Sequence, residues 1–266
     1  MKILWVSDSP LTPTGQGNQT RLILTNLYLA GYEVVNYGVY SKASAPFLVN
    51  GIRVYPTPNF ESLNALRDIM DQERPDILIL FADPRFFLPI FSWLDEFRPR
   101  TKVFFYHLWD NDPIPHWNTR IYHAFDGIIA ASQFTYDMVR QVAGLQTPLF
   151  YAPLVTSPEE FYPITDAGEL QEAKTRLLVP EEYDFTIFWN NRALLRKRVG
   201  DIMEAHNLFH EKLSKRGVST LLILKSIPGP KDQEAVDFLS HKNLFPESPL
   251  VVLSNHYNIQ DMNYFY

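Results

Sequence analysis

Short apolar runs alternate with helix-length segments along almost the whole chain, and that order admits few folds. Lys2–Ser7, Glu33–Tyr40, Asp76–Phe81, Lys102–His107, Gly127–Ala131 and Leu149–Ala152 read as strands. Several of these runs lack inside–outside alternation, as expected of strands covered on both faces. Between them, Asn18 can cap a helix running to about Ala30, with Gly31 as its stop. Glu61–Glu73 has helical spacing and ends at Pro75, Pro84–Phe97 and His116–Ala124 look helical, and Ser132 caps a helix over Gln133–Ala143. Asn50-Gly51 signals a turn ahead of a further run, Ile52–Tyr55. The expectation is an α/β chain with parallel sheets and helices on both faces.

The composition shifts between Pro153 and Tyr183, where prolines punctuate a stretch carrying a mostly polar helix near Glu169–Leu178. A second alternation follows: strand Phe185–Trp189, helix Val199–Lys215, strand Thr220–Leu224, helix Asp232–His241, strand Leu250–Leu253, and the start of another helix near Asn263–Tyr266. At 266 residues the chain is long enough for two cores, and two domains are expected, 1–160 and 161–266.

Composition closes off several classes. The chain is 46 % apolar with 14 Tyr and 19 Phe, which excludes a disordered polymer. It has no cysteine, so a disulfide framework, a thiol nucleophile and a cysteine-ligated zinc are excluded. A net charge of −6 argues against broad binding of nucleic acid. No apolar run reaches membrane-spanning length, and no basic and apolar leader precedes the first strand, so no transmembrane segment and a cytoplasmic location are expected.

Ligands of open parallel sheets bind outside the carboxyl ends of the strands, which directs attention to Asp8–Gly17, Asp83, His107–Asp112 and Ser132. Gly15, Gln16 and Gly17 lie where a loop meets a helix N-terminus, and there backbone N–H groups and the helix dipole favour an anion; an ordinary tight turn is the other reading. The same loop argues against a dinucleotide cofactor. Thr20 stands at the third glycine of G-x-G-x-x-G, and no acidic residue closes the second strand. In the second half, Asn190-Asn-Arg-Ala-Leu-Leu-Arg-Lys-Arg-Val199 sets Arg192, Arg196, Lys197 and Arg198 between a strand end and a helix start. Guanidinium and ammonium groups placed so suit a diphosphate; a solvated basic face is the plainer reading of such a run. Lys225–Pro230 follows the next strand and reads as a plain turn, with an approach to a nucleotide base as the other reading. Asp110 and Asp112 on one loop are too little for a metal site, and none is assigned. Trp109, His116 and Trp117 are equally packing residues or a stacking surface.

Taken together, these segments resemble the family-4 retaining glycosyltransferases of GT-B fold. MKILWVSDSPLTPTGQGNQTRLILTNLYLAGYEV is similar to that family's first strand, glycine loop, long helix and "G-H/Y-E-V" second strand. Pro75-Asp76-Ile-Leu-Ile-Leu resembles "P-D-V-V-H-A-H", and Phe105-Tyr-His107 the strand that ends in a histidine. Ile128-Ile-Ala-Ala-Ser132 resembles "V-x-A-x-S", Ala152-Pro153 with Phe161-Tyr-Pro163 resembles "P-N-G-V-D-x-x-x-F-x-P", and Arg192 with Lys197 resembles "G-R-x-x-x-x-K-G". The likeness spans essentially the whole chain.

The resemblance implies two Rossmann-like domains, an acceptor-side domain over 1–160 and a partial nucleotide-sugar-binding domain over 161–266. It implies transfer of a sugar, with retention, from a nucleoside-diphosphate donor to an unidentified hydroxyl acceptor. Arg192 and Lys197 would hold the donor diphosphate, Gly15, Gln16 and Gly17 would approach phosphate or acceptor, and Asp83, Trp109 and Asp110 would lie on the acceptor side. His107 would orient the donor or stabilise developing charge; an ordinary buried histidine is the other reading of that position. The nucleotide-sugar is a substrate, so no cofactor is expected. Asn191 replaces the glycine before Arg192, and asparagine tolerates left-handed backbone. Arg198 stands where the family has glycine, Leu154–Ser157 replaces "N-G-V-D", and Asp83 lies near the place of a family histidine. The family's pair of glutamates should fall beyond Tyr266, which makes this a C-terminally truncated member with an incomplete second domain. The alternative is a non-catalytic nucleotide-binding or partner module derived from the same fold.

Overall fold

The computed structural model of the chain describes residues 1–144, 146–177, 179–180, 183–191, 194–226, 243, 248–254 and 257–266. They divide into two compact units, Met1–Ser157 and Pro158–Tyr266.

The first unit runs β1 (Lys2–Asp8), α1 (Gly15–Leu29), β2 (Glu33–Val39), β3 (Phe47–Val49), β4 (Ile52–Thr57), α2 (Asn64–Glu73), β5 (Ile77–Leu80), β6 (Lys102–His107), α3 (Thr119–His123), β7 (Gly127–Ala130), α4 (Gln133–Ala143) and β8 (Leu149–Tyr151). Its described strands form one sheet in the order β3-β4-β2-β1-β5-β6-β7-β8. Every pairing is parallel except the β3–β4 hairpin. That antiparallel edge departs from the all-parallel expectation, and it closes on Asn50 and Gly51, both left-handed at φ 50° and 82°.

β1 sits mid-sheet and explains the missing alternation. Leu4 and Val6 join Leu66, Met70 and Phe105 on one face, while Ile3 and Trp5 join Leu24 of α1, Ile79 and Tyr106 on the other. Burying Leu4 or Val6 contributes about 1.5–3 kcal/mol each. Trp5 packs against Phe81 and Tyr106 with ring centroids 5.9 and 5.7 Å apart.

Two expected helices are corrected. Pro84–Phe97 is a pair of 3-10 helices, Pro84–Ser92 and Leu94–Glu96, because Pro89 has no N–H to extend an α-helical ladder. His116–Ala124 is a 3-10 turn over His116–Asn118 followed by α3. Ser132 does cap α4, its Oγ accepting from the Thr135 N–H at 3.0 Å.

The second unit contains α5 (Ala167–Arg176), β9 (Phe185–Asn190), α6 (Val199–Ser214), β10 (Thr220–Lys225), β11 (Leu250–Leu253) and α7 (Ile259–Asn263). Its described strands form a parallel sheet in the order β11-β10-β9. Val199 and Met203 of α6 pack on Leu222 and Leu224, and the opposite face of β10 packs Leu221 and Ile223 beside Leu253. Asn263 and the Tyr162 backbone exchange two hydrogen bonds of 3.1 Å, and Arg176 pairs with Asp261 at 2.8 Å, tying α7 and α5 together. The helix expected over Asp232–His241 lies outside the described residues.

Candidate functional site

Strand order in the first sheet reverses direction between β1 and β5, the point where open α/β sheets leave a crevice for ligands. Asp8 closes β1 there and is almost wholly buried. Thr14 donates its hydroxyl to Asp8 Oδ2, and Asp8 Oδ1 has no partner. Burial pushes this carboxyl's pKa up, against the pull of the Thr14 hydrogen bond. Thr14 in turn caps α1, its Oγ1 accepting from the Gly17 N–H at 2.9 Å.

This corrects the expected helix start. The cap is Thr14 instead of Asn18, and Gly15, Gln16 and Gly17 form the first turn of α1 instead of a loop. The hydroxyl oriented by Asp8 satisfies an amide that a helix start leaves orphaned. The two glycines differ in purpose. A Cβ on Gly17 would stand 2.3 Å from the Thr12 carbonyl oxygen and 2.9 Å from that of Ser9, so the chain's own loop demands glycine there. A Cβ on Gly15 would meet nothing within 4 Å. Gln16 donates through Nε2 to the Phe81 carbonyl, binding α1 to the end of β5.

His107 ends β6 with its side chain fully buried. Its Nε2 lies 2.8 Å from the Tyr122 hydroxyl, its ring stacks on Phe105 at 4.6 Å, and its Nδ1 has no partner. Burial holds its pKa down at about 3, with the Asp83 charge pulling weakly the other way, so the ring is neutral at physiological pH. Asp83, at the end of the β5 segment, caps the Pro84 helix and grips Arg85 through both carboxylate oxygens, at 2.9 and 2.8 Å. Burial opposes ionisation of Asp83 and Arg85 outweighs it, leaving the pKa lowered. Trp109 takes its backbone N–H to Thr135 Oγ1 at 3.0 Å and its indole N–H to the Asn111 carbonyl at 2.6 Å. Asp110 is exposed beside it, and no group of metal-ligating side chains occurs among the described residues. His107, Asp83 and Trp109 therefore share one sheet edge, where the Nδ1 of His107 is buried without a partner among the described residues.

In the second unit the basic segment lies between β9 and α6, with Arg192 outside the described residues. Lys197 ends a 3-10 turn over Leu195–Lys197 and has no carboxylate partner among the described residues. Arg198 pairs with Asp201 at 2.7 Å and takes φ 54° and ψ 46°. That is the conformation glycine favours, at the position where the resemblance has glycine. Asn191 is not among the residues of positive φ, and Arg198 is the left-handed residue among the described residues of this segment.

Lys225, the last residue of β10, pairs in register with Asn190 and carries no counter-ion among the described residues. Partial burial pushes its ammonium pKa down. Sequence reading treated the residue as the start of a turn. The signal available was a lysine closing an otherwise apolar run, as Asp8 closes β1.

No protein-family model matches the chain, and no curated protein matches it by sequence. Solved structures do match it. A glycosyltransferase from Rickettsia africae aligns with a TM-score of 0.71 at 13 % identity, over 98 % of this chain and 70 % of its own. HepE of Anabaena in complex with UDP-glucose aligns with a TM-score of 0.66 at 13 % identity, over 98 % and 71 %. An α,α-trehalose-phosphate synthase (UDP-forming) from Burkholderia vietnamiensis aligns with a TM-score of 0.67 at 10 % identity, over 99 % and 74 %. At such identities the likeness speaks for the fold, which is the α/β fold of GT-B glycosyltransferases. No helix among the described residues is long and apolar enough to cross a membrane.

Proposed function

We propose that this protein is a glycosyltransferase that moves a sugar from a nucleoside-diphosphate donor to a hydroxyl acceptor with retention. The observation that carries the reading is the carboxyl edge of the second sheet. There Lys197 and Lys225 stand without carboxylate partners among the described residues, and Arg198 keeps a glycine-like backbone beside the start of α6. Cations so placed offset the charge that builds on a leaving diphosphate. Arg192 completes the group by its place in the sequence. UDP is the first nucleotide to test, because HepE was solved with UDP-glucose on the same fold.

On the first unit we assign the acceptor side to the strand ends that carry Asp83, Trp109 and Asp110. His107 contributes its unpaired Nδ1, as donor or acceptor according to the tautomer, toward a sugar or phosphate oxygen. Gly15 leaves open space at the start of α1 for a phosphate or the acceptor, with Gln16 and Gly17 shaping the turn.

Calorimetry with UDP and UDP-glucose, followed by NMR of the product's anomeric configuration, tests the reading. Donor binding is expected to be lost on joint Arg192→Ala and Lys197→Ala substitution. Full binding in that double variant refutes the assignment of the basic segment. Binding without any turnover in an acceptor screen returns the chain to a non-catalytic nucleotide-binding module.

A further inference from the structure

The loops that follow β1 and β2 enclose, with Phe47 of β3, an open cavity of about 350 Å3. That volume lies in the range of small-molecule sites. Its wall is largely apolar, from Leu11, Pro13, Tyr40, Ala43 and Phe47. Lys42 is the one cation in the lining, no carboxylate lines the cavity, and Lys42 has no ion-pair partner among the described residues.

The wall is held in an unfavourable backbone conformation. Tyr40 takes φ 59°, a left-handed value that costs any residue with a Cβ. Thr12 Oγ1 lies 3.4 and 3.5 Å from the carbonyl oxygens of Val39 and Tyr40, and the Ser41 N–H donates to the Thr57 carbonyl at 3.2 Å. These contacts keep the Tyr40 ring beside the cavity, edge-on to Phe60 at 5.9 Å. Burial and then the charge of Asp8 push the Tyr40 phenol's pKa up, so its hydroxyl remains a donor at neutral pH.

We propose that this cavity is a binding site for a small amphipathic anion, with an apolar ring against Tyr40 and Phe47 and one phosphate or carboxylate on Lys42. The apolar wall supplies area for the ring, and the lone cation supplies a charge-assisted contact without a competing carboxylate in the lining. The site uses none of the residues assigned to the donor, and its Ser9 and Thr12 back onto Gly17 of the α1 turn.

Saturation-transfer NMR and calorimetry on the whole chain, with phenyl phosphate, benzoate, benzyl alcohol and inorganic phosphate as probes, test it. At least one of the two aromatic anions is expected to bind, and which one binds identifies the anionic group. Benzyl alcohol and inorganic phosphate, each lacking half of the recognition, are expected to bind about ten-fold more weakly. Lys42→Met keeps the side-chain stem and is expected to weaken the aromatic anion about ten-fold, the loss of one hydrogen bond to a charged group. Ala43→Trp fills the cavity and is expected to abolish binding. Both positions are exposed, so unchanged thermal melting serves as the folding control. The proposal is overturned if neither aromatic anion binds, or if binding survives both substitutions. UDP titrated into the same samples separates the two ideas: phenyl phosphate bound through Lys42 in a chain that binds no nucleotide keeps this site and refutes the transferase.

Discussion

Lys225→Met separates a ligand-binding cation from a structural one, because the two roles predict opposite signs. Lys225 closes β10 in register with Asn190, half-buried and without a counter-ion among the described residues. Methionine retains the unbranched apolar stem and removes the charge. A hydrogen bond to a charged group contributes about 1.5–3 kcal/mol, so UDP affinity should fall about ten-fold to a hundred-fold. Stability should move the other way. The folded-state pKa of Lys225 lies below its ordinary value of 10.5, so the unfolded chain holds that proton more tightly. The folded ammonium is then a penalty at neutral pH that is relieved as pH rises toward 10.5, and methionine removes it at every pH. A bound diphosphate raises the lysine pKa again, so the wild type should take up more protons on binding UDP as pH approaches 10.5 than at neutral pH. Calorimetry in two buffers of different ionisation heat reads that uptake, and the variant should lack the Lys225 contribution to it. UDP affinity equal to wild type, together with a lowered melting temperature, would refute the reasoning and make Lys225 a packing residue.

Three further outcomes follow from local geometry. His206 is buried in the second unit between Thr220 Oγ1 at 3.2 Å and Ser248 Oγ at 2.9 Å, and burial, then His210, holds its pKa at about 4. A depressed base loses its stabilising contribution as pH falls from 6.5 through about 4, at most about 3 kcal/mol here, and His206→Gln should flatten that dependence in urea unfolding at pH 7 and pH 5. Arg198→Gly relieves a left-handed residue at a cost of one exposed ion pair, and thermal melting should show a net gain of about 1 kcal/mol; a loss would mean the turn does not strain arginine. Gly17→Ala drives a methyl into the Thr12 and Ser9 carbonyls and should destabilise by about 2–3 kcal/mol, whereas Gly15→Ala, facing open space, should be neutral or slightly stabilising. Equal melting of the two alanine variants would remove the distinction drawn between these glycines.

Much of the architecture was legible because burial on both faces leaves a mark in composition. The unbroken runs at Lys2–Ser7, Lys102–His107 and Thr220–Leu224 are β1, β6 and β10 to within a residue or two. Ser132 at the start of α4 and Asn50-Gly51 at the hairpin were legible for the same reason, since each states a backbone requirement within a few residues of itself. Where two local signals competed, the choice between them was not legible. Thr14 caps α1 in place of Asn18 because Asp8, six residues earlier, orients its hydroxyl, and Pro89 holds Pro84–Ser92 in 3-10 form although its apolar spacing suits an α-helix.

The candidate site divides in the same way. From residue order alone come the basic segment around Lys197 and the histidine that ends β6, because strand ends in a parallel sheet converge on one edge. Only the tertiary structure sets their state. It encloses His107 as a neutral ring beside Tyr122, and it half-buries Lys225 without a counter-ion among the described residues. Periodicity records which faces are covered and not what a charged side chain meets there. Desolvation and pairing depend on neighbours brought from tens of residues away, so those decisions belong to the fold.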